Sequence, residues 1–420
     1  MRNLRTLQDV VAWRLCIGCG ACAAACDYDG ITMEHVPEQG FRPRLSRDCG
    51  SCSVCLPFCP GYGVAAPGED EVAPDVADFG PARAIWEGWA TDTDVRRRGS
   101  SGGVLTALAL FAVEAAGFAG VVQTSMDPDD PLRNRTVISR SRAEILSCCG
   151  SRYNASSPVE GLRRLRQADG TYLFIGKPCD AAAVMEMRRA LPWVNERVGL
   201  VAAFFCAGTP TPEGTRRLVE RLGGDPDEVE ELHYRGRGWP GEFRFRSKSG
   251  ENRWTRLSYE ESWSFLTSFR PLRCRLCPDG TGQAADLVCA DAWHRFDSGA
   301  PDGGRSLVLA RSEAGEDFVR AAWRAGRLTL EPSDRPSVSA AQLSLLDRRR
   351  DLWGRLAALR CLGIPTPRYE GFGLRRSWRQ LPWRRRVRVF LGTLRRALLR
   401  TWWRPSRVFA KAGSTGPPRL

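Results

Sequence analysis

From residue 84 onward the chain alternates short apolar runs with segments of helical period. AIWEGWA (84–90) predicts a strand, followed by the basic loop DVRRRGSSGG and a helix from about Val104 to Ala116, closed by Gly117. GVVQTSM predicts the next strand. TYLFIG (171–176) passes through Lys177-Pro178-Cys179 into the helical DAAAVMEMRRA, and VGLVAAFFC (198–206) passes through AGTPTPEG into TRRLVERL. Short apolar runs that break at Gly or Pro and give way to a 3.6-residue period are strand-to-helix units. Their repetition predicts α/β architecture, which gathers ligands at the carboxyl ends of its strands. Cys179 and Cys206 both fall at such ends.

The flanks differ. AAPGEDEVAPDVADFGPA (65–82) predicts a linker. In the last fifty residues, Trp383, Val387, Leu391, Leu394, Leu398 and Trp402 recur at steps of four and three, with Arg384, Arg385, Arg388, Arg395, Arg396 and Arg400 elsewhere on the wheel. This is a basic amphipathic helix. It either lies on an anionic membrane surface or packs its stripe on the body or a partner subunit.

At 420 residues and 43% hydrophobic content the chain can build two or three domains with real cores. No run approaches the roughly 18 to 20 apolar residues of a membrane span, and MRNLRTLQDVVAWRLC lacks a signal peptide's apolar centre. The expected compartment is the cytoplasm, with the tail allowing a peripheral position at the inner face of the membrane. There, sixteen cysteines point to metal or cluster ligation rather than disulfides. Three histidines, His35, His233 and His294, leave little for a zinc site or a catalytic triad. Residues 371–420 hold thirteen Arg, one Lys and no acid, which equals the whole formal charge of +14. The rest of the chain is therefore neutral, and no nucleic-acid partner is expected.

Cys16-x2-Cys19-x2-Cys22-x3-Cys26 and Cys49-x2-Cys52-x2-Cys55-x3-Cys59-Pro60 repeat the bacterial ferredoxin run. Three closely spaced thiolates grip three irons of a cube and the fourth ligand comes from the other run. One 4Fe-4S cluster is thus expected on Cys16, Cys19, Cys22 and Cys59, and another on Cys49, Cys52, Cys55 and Cys26. Gly18, Gly20 and Gly50 permit close backbone approach to the cluster sulfurs. Zinc knuckles would not need the three-then-one rhythm. In RCRLCPD, Cys274 and Cys277 are half a site; with Cys179 and Cys206 they make four thiolates for a third cluster, unless the strand-end pair are ordinary buried thiols. Cys148, Cys149, Cys289 and Cys361 have no ligand-like spacing. The loop Arg96-Arg97-Arg98-Gly99-Ser100-Ser101-Gly102-Gly103 suits an anion at a helix start, or is an N-cap with a solvated basic turn.

RRGSSGGVLTAL, GSRYNAS, FIGKPCDAAAV, FFCAGTP, YRGRGWPG, RCRLCPD and ADLVCADAW, in this order over residues 80–310, resemble the coenzyme F420 hydrogenase/dehydrogenase beta subunit family, which includes 7-hydroxymethyl chlorophyll a reductase. The resemblance implies an α+β/α/β multidomain chain. Its parts are a dicluster ferredoxin fold (1–64), the linker, the family's N-terminal module (83–165), its C-terminal module with the third cluster (166–345), and the basic helical tail (346–420). It also implies FAD. Ser100, Ser101, Gly102 and Gly103 would face the FAD phosphates, with Gly150, Ser151, Arg152, Tyr153 and Lys177 close to the cofactor. Arg235, Arg237 and Trp239 would line the substrate side. His233 and Lys177 are the candidates for placing a proton. Asp291 and Trp293 end the last motif, where Cys289 stands in place of an expected small or aliphatic residue. The implied activity passes electrons between clusters and FAD and on to, or from, coenzyme F420 or a related planar substrate, with a redox partner protein. The alternatives are an electron-transfer subunit without its own substrate, or a flavoenzyme of polysaccharide or lipid-linked precursor metabolism.

Overall fold

The computed structural model describes residues 3–46, 49, 52–66, 79–248, 253–296 and 304–406. Gly50, most of the linker and the end of the basic tail lie outside the described residues.

An eight-stranded mixed sheet forms the body. Its strands are β1 (Ala84–Ala90), β2 (Gly120–Met126), β3 (Asn134–Ser139), β4 (Tyr172–Gly176), β5 (Val198–Phe204), β6 (Leu287–Asp291), β7 (Ser306–Ala310) and β8 (Leu328–Pro332), in the order β8-β1-β7-β6-β5-β4-β2-β3. Only β2, β4, β5 and β6 run parallel to their neighbours; β3, β7, β1 and β8 are antiparallel additions. The parallel strands are the continuous apolar runs of the sequence because helices and loops cover both faces. All five residues of β4 are buried.

Helix α1 (Val104–Glu114) follows the Gly-rich loop, and Gly103 enters it with φ 73°, a left-handed value that favours glycine. The expected basic loop is partly helical, since Asp92 caps Thr93–Arg98 by accepting from the amides of Asp94 and Val95. Helix α2 (Pro178–Ala190) begins directly after β4, with Pro178 at its first position. Helix α3 (Pro212–Arg221) follows β5, and a separate three-stranded antiparallel sheet, 229–233, 242–247 and 255–258, stands beside it.

The amino-terminal segment carries a hairpin, Ile31–Val36 with Gly40–Leu45, and shares one core with the body: Leu7, Val10, Leu15 and Ile31 join Val159, Phe174, Val184 and Val201. Its strand Gly63–Ala65 pairs in parallel with Arg368–Glu370, near the other end of the chain. Helix α4 (Leu343–Cys361) contributes Leu352, Leu356 and Leu359 to the same core.

Helix α5 (Trp383–Leu399) packs on α4. Its inward face is small and charged: Thr393 and Ala397 are buried, and Arg385 bonds Asp347 and Asp351, both at 2.9 Å. Trp383, Val387, Leu391 and Leu398 point outward, 47–64% exposed. Trp402 differs from the expected stripe, for the chain turns after the helix and buries it against the body. Among the described residues no helix is long and apolar enough to cross a membrane.

Candidate metal centre and cofactor site

The parallel strands deliver two of the paired thiols. Cys179 is the second residue of α2, past the end of β4, and Cys206 stands two residues past β5. The segment 272–277 brings Cys274, on one short helical turn, and Cys277 to the same place. All four line one cavity together with Cys16, Lys177, Arg273 and Arg348.

Burial and then Asp180 push Cys179 well up, with Cys277 and Cys206 adding to the effect. Burial and Cys274 raise Cys206 to about 11, and burial followed by Cys277 raises Cys274. Sulfurs that would repel one another as thiolates suit a cationic body between them, since ligation is what deprotonates a buried thiol. Among the described residues no three His, Cys, Asp or Glu converge on a point for one ion. The four cage thiols instead ring a cavity, as a cube with one thiolate per iron requires. Local donors orient the ring: the Gly208 amide donates to Cys206 Sγ at 3.4 Å, and the Cys206 amide donates to the Gly280 carbonyl at 2.8 Å.

The amino-terminal thiols lie near one another, with Cys16, Cys19, Cys22 and Cys59 as the first expected set and Cys26, Cys49, Cys52 and Cys55 as the second. Cys59 and Cys16 act on Cys19, and Cys19, Cys16 and Cys59 on Cys22, after burial in each case. Burial, then Cys26 and Cys52, raises Cys49. Cys55 is pushed up to about 12 by burial, then by Cys59, Cys49 and Cys52. Cys59 thus acts on Cys19 and Cys22 and Cys26 on Cys49, while Cys59 also acts on Cys55, so the two runs lie close together. Because Cys16 also lines the cage cavity, the first set adjoins the cage.

Arg273 stands between them. It is 1% exposed, donates twice to the Pro60 carbonyl at 2.8 and 3.0 Å, and lies over the Tyr369 ring at 5.3 Å. Burial opposes its charge, but Tyr369, Cys277, Cys179 and Cys274 outweigh it and hold the proton. On the other side, Lys177 pairs with fully buried Asp180 at 2.7 Å and donates to Ser156 Oγ at 2.7 Å. Burial again opposes the charge, and Asp180, then Cys179, raise it. Lys177 is thus a fixed cation at the cavity wall. Arg273 and Asp180 escaped sequence reasoning; a charged residue directly beside each proposed ligand was the available signal.

A second constellation joins the expected cofactor loops. The Ser151 amide donates to Ser100 Oγ at 2.6 Å, and Ser101 Oγ donates to the Arg305 carbonyl at 2.7 Å. Both hydroxyls therefore hold the loop, and the Gly102 amide donates to Ser306 Oγ at 3.0 Å just ahead of the first turn of α1. Arg235 locks the loops together. It donates to Asp291 at 2.8 and 3.0 Å, to the Pro240 carbonyl at 2.8 Å and to the Ser100 carbonyl, under the rings of Tyr259 and Trp293. Burial opposes its charge and Asp291 overcomes that, so its pKa is raised. Trp239 Nε1 donates to Asp291 at 3.1 Å, and Trp239, Trp293 and Tyr259 stack in sequence at 5.4 and 5.3 Å. Tyr259 was not foreseen, because nothing local marks it. A helix start beside a wall of aromatic rings suits the phosphates and planar ring of a dinucleotide flavin.

Other expected residues stand elsewhere. Arg152 points into the protein, spending its donors on Asn134 and on the carbonyls of Leu232, Pro131 and Arg133. Tyr153 packs on Trp263 at 4.7 Å and bonds Arg235. His233 is tied to Glu231 at 2.7 Å, and Arg237 is exposed. Cys289 is a core thiol of β6, pushed up to about 12 by burial alone.

Residues 85–163 match the N-terminal domain, and residues 169–336 the C-terminal domain, of the coenzyme F420 hydrogenase/dehydrogenase beta subunit. The coenzyme F420 hydrogenase subunit beta of Methanococcus voltae is 24% identical over 69% of this chain and 99% of its own. Its counterpart of the same description from Methanothermobacter thermautotrophicus is 20% identical, again over 69% of this chain and 99% of its own. A chain of the F420-reducing [NiFe] hydrogenase complex from Methanosarcina barkeri shares the fold, with a TM-score of 0.56 and 19% identity over 71% of this chain and 98% of that one.

Proposed function

The chain belongs to the coenzyme F420 hydrogenase/dehydrogenase beta subunit family of oxidoreductases, and on that premise we propose that it is an iron-sulfur flavoprotein that exchanges reducing equivalents between a redox partner and coenzyme F420 or a similar planar substrate. The observation that carries this reading is the cavity lined at once by Cys16 of the amino-terminal set and by Cys179, Cys206, Cys274 and Cys277. It supports a route of three cluster sites in series, from Cys26/Cys49/Cys52/Cys55 through Cys16/Cys19/Cys22/Cys59 to the cage. Bound there, 4Fe-4S clusters would supply one-electron transfer and FAD the conversion to two-electron hydride chemistry.

The chain's own groups have separable tasks. Arg273 ties the Cys59-Pro60 turn to the cage and keeps a positive charge between them. Lys177 offers a fixed cation and hydrogen-bond donor at the wall of the cage. Arg235 and Asp291 close the Ser100 loop onto the aromatic wall, excluding water from the ring that would lie there. Of the two candidates for placing the proton, Lys177 opens on the cavity, whereas His233 is committed to Glu231.

The tail fits a further role at an anionic membrane, because the stripe of α5 faces away from the body and its flank carries exposed Arg384, Arg388 and Arg395.

Anaerobic purification tests the enzymatic reading. About one FAD per chain should be released on denaturation, and the chemically reduced protein should reduce added coenzyme F420. Intact clusters with no flavin would replace this reading with that of an electron-transfer subunit.

A further inference from the structure

Behind the cysteine cage, α4, α5 and the segment around Cys274 border a second, half-open cavity of about 430 Å³. Arg270, Arg275, Arg348, Arg355 and Arg396 line it, against Asp347 and Asp351. Both carboxylates already hold Arg385, and Asp351 also holds Arg355. Among the described residues, Arg270, Arg275, Arg348 and Arg396 pair with no carboxylate. Backbone carbonyls prop three of them instead: Arg270 and Arg348 both reach the Ala207 carbonyl, at 2.8 and 2.5 Å, and Arg275 reaches that of Ser268 at 3.0 Å, while Arg396 donates to Thr393 Oγ1 at 3.3 Å. Guanidiniums held at close quarters without counter-charge repel one another, and a multivalent anion relieves that repulsion.

We propose that this cavity is a binding site for a diphosphate-bearing small molecule, its phosphates held by the guanidinium forks of Arg275, Arg348 and Arg396. The planar forks match phosphate oxygens two at a time, and the volume lies within the roughly 300 to 1,000 Å³ of small-molecule pockets. Two arginines on α4, one on α5, one ahead of the cysteine turn and one inside it supply the charge, so the site exists only where the tail docks on the body. It stands independently of the electron route.

The full-length, anaerobically purified protein is titrated by calorimetry at low ionic strength with inorganic pyrophosphate and, separately, with soluble geranyl diphosphate. Saturable binding of pyrophosphate identifies a free diphosphate ligand; saturation by geranyl diphosphate alone identifies a lipid diphosphate headgroup as the source. In either case Arg275→Gln and Arg396→Gln should each weaken binding about tenfold or more, as the loss of charged hydrogen bonds implies. Arg324→Gln, exposed and outside the cavity lining, should leave it unchanged. Iron content is measured in every variant; if Arg275→Gln loses iron, Arg396→Gln, outside the cysteine segment, carries the test. Saturation by neither ligand, or equal affinity in wild type and Arg396→Gln, overturns the proposal.

Discussion

Arg235 joins Ser100, Pro240 and Asp291 through hydrogen bonds, and its side chain is only 2% exposed. Removing one partner of a buried pair leaves the other charge uncompensated, so Asp291→Ala should destabilise the chain by about 3 kcal/mol and release flavin as the Ser100 loop loosens. Chemical denaturation with flavin analysis reads both; an unchanged midpoint would show that the pair is not structural. His233 gives a pH signature. Burial, the largest influence, lowers its pKa below the ordinary 6.5 although Glu231 pulls upward. The unfolded chain therefore binds the proton more readily, and stability should fall as pH drops below about 6.5. Between about pH 7.5 and 5.5 the wild type should lose more stability than His233→Gln, and equal losses would remove His233 from the account.

At the scale of elements, α5 separates two kinds of apolar position. Trp383 and Leu391 are 64% and 56% exposed, so Trp383→Ser with Leu391→Ser should weaken binding to phosphatidylglycerol vesicles without lowering stability. Ala397 is fully buried against α4, and Ala397→Leu should cost about 1 to 3 kcal/mol through overpacking. Vesicle binding that survives the double substitution would assign the stripe to another partner. The tail's period was plain in the sequence, but the face it turned inward was not, because Thr393, Ala397 and Arg385 carry no hydrophobic signal. The strand-end cysteines were legible for the opposite reason, as an apolar run followed by Pro or Gly marks a strand end locally. Arg273 was illegible in that way, since its acceptor, Pro60, lies 213 residues earlier. The antiparallel additions to the sheet were equally hidden, for β1 and β7 pair across more than two hundred residues.

For the whole molecule, the shared core is the organising fact. Amino-terminal segment, parallel sheet and α4 bury the same cluster of side chains, so the Cys16 set is fixed against the cage by packing rather than tethered to it. Fixed placement is what a route for single electrons needs. It also makes the account testable by counting metal. Iron and acid-labile sulfide are measured in the anaerobically purified wild type and in the Cys179→Ser/Cys206→Ser double variant. The account predicts about twelve irons per chain in the first and about eight in the second, with the two amino-terminal clusters retained. The same iron content in both proteins would contradict it, leaving the cage without its cluster and the route without its last step.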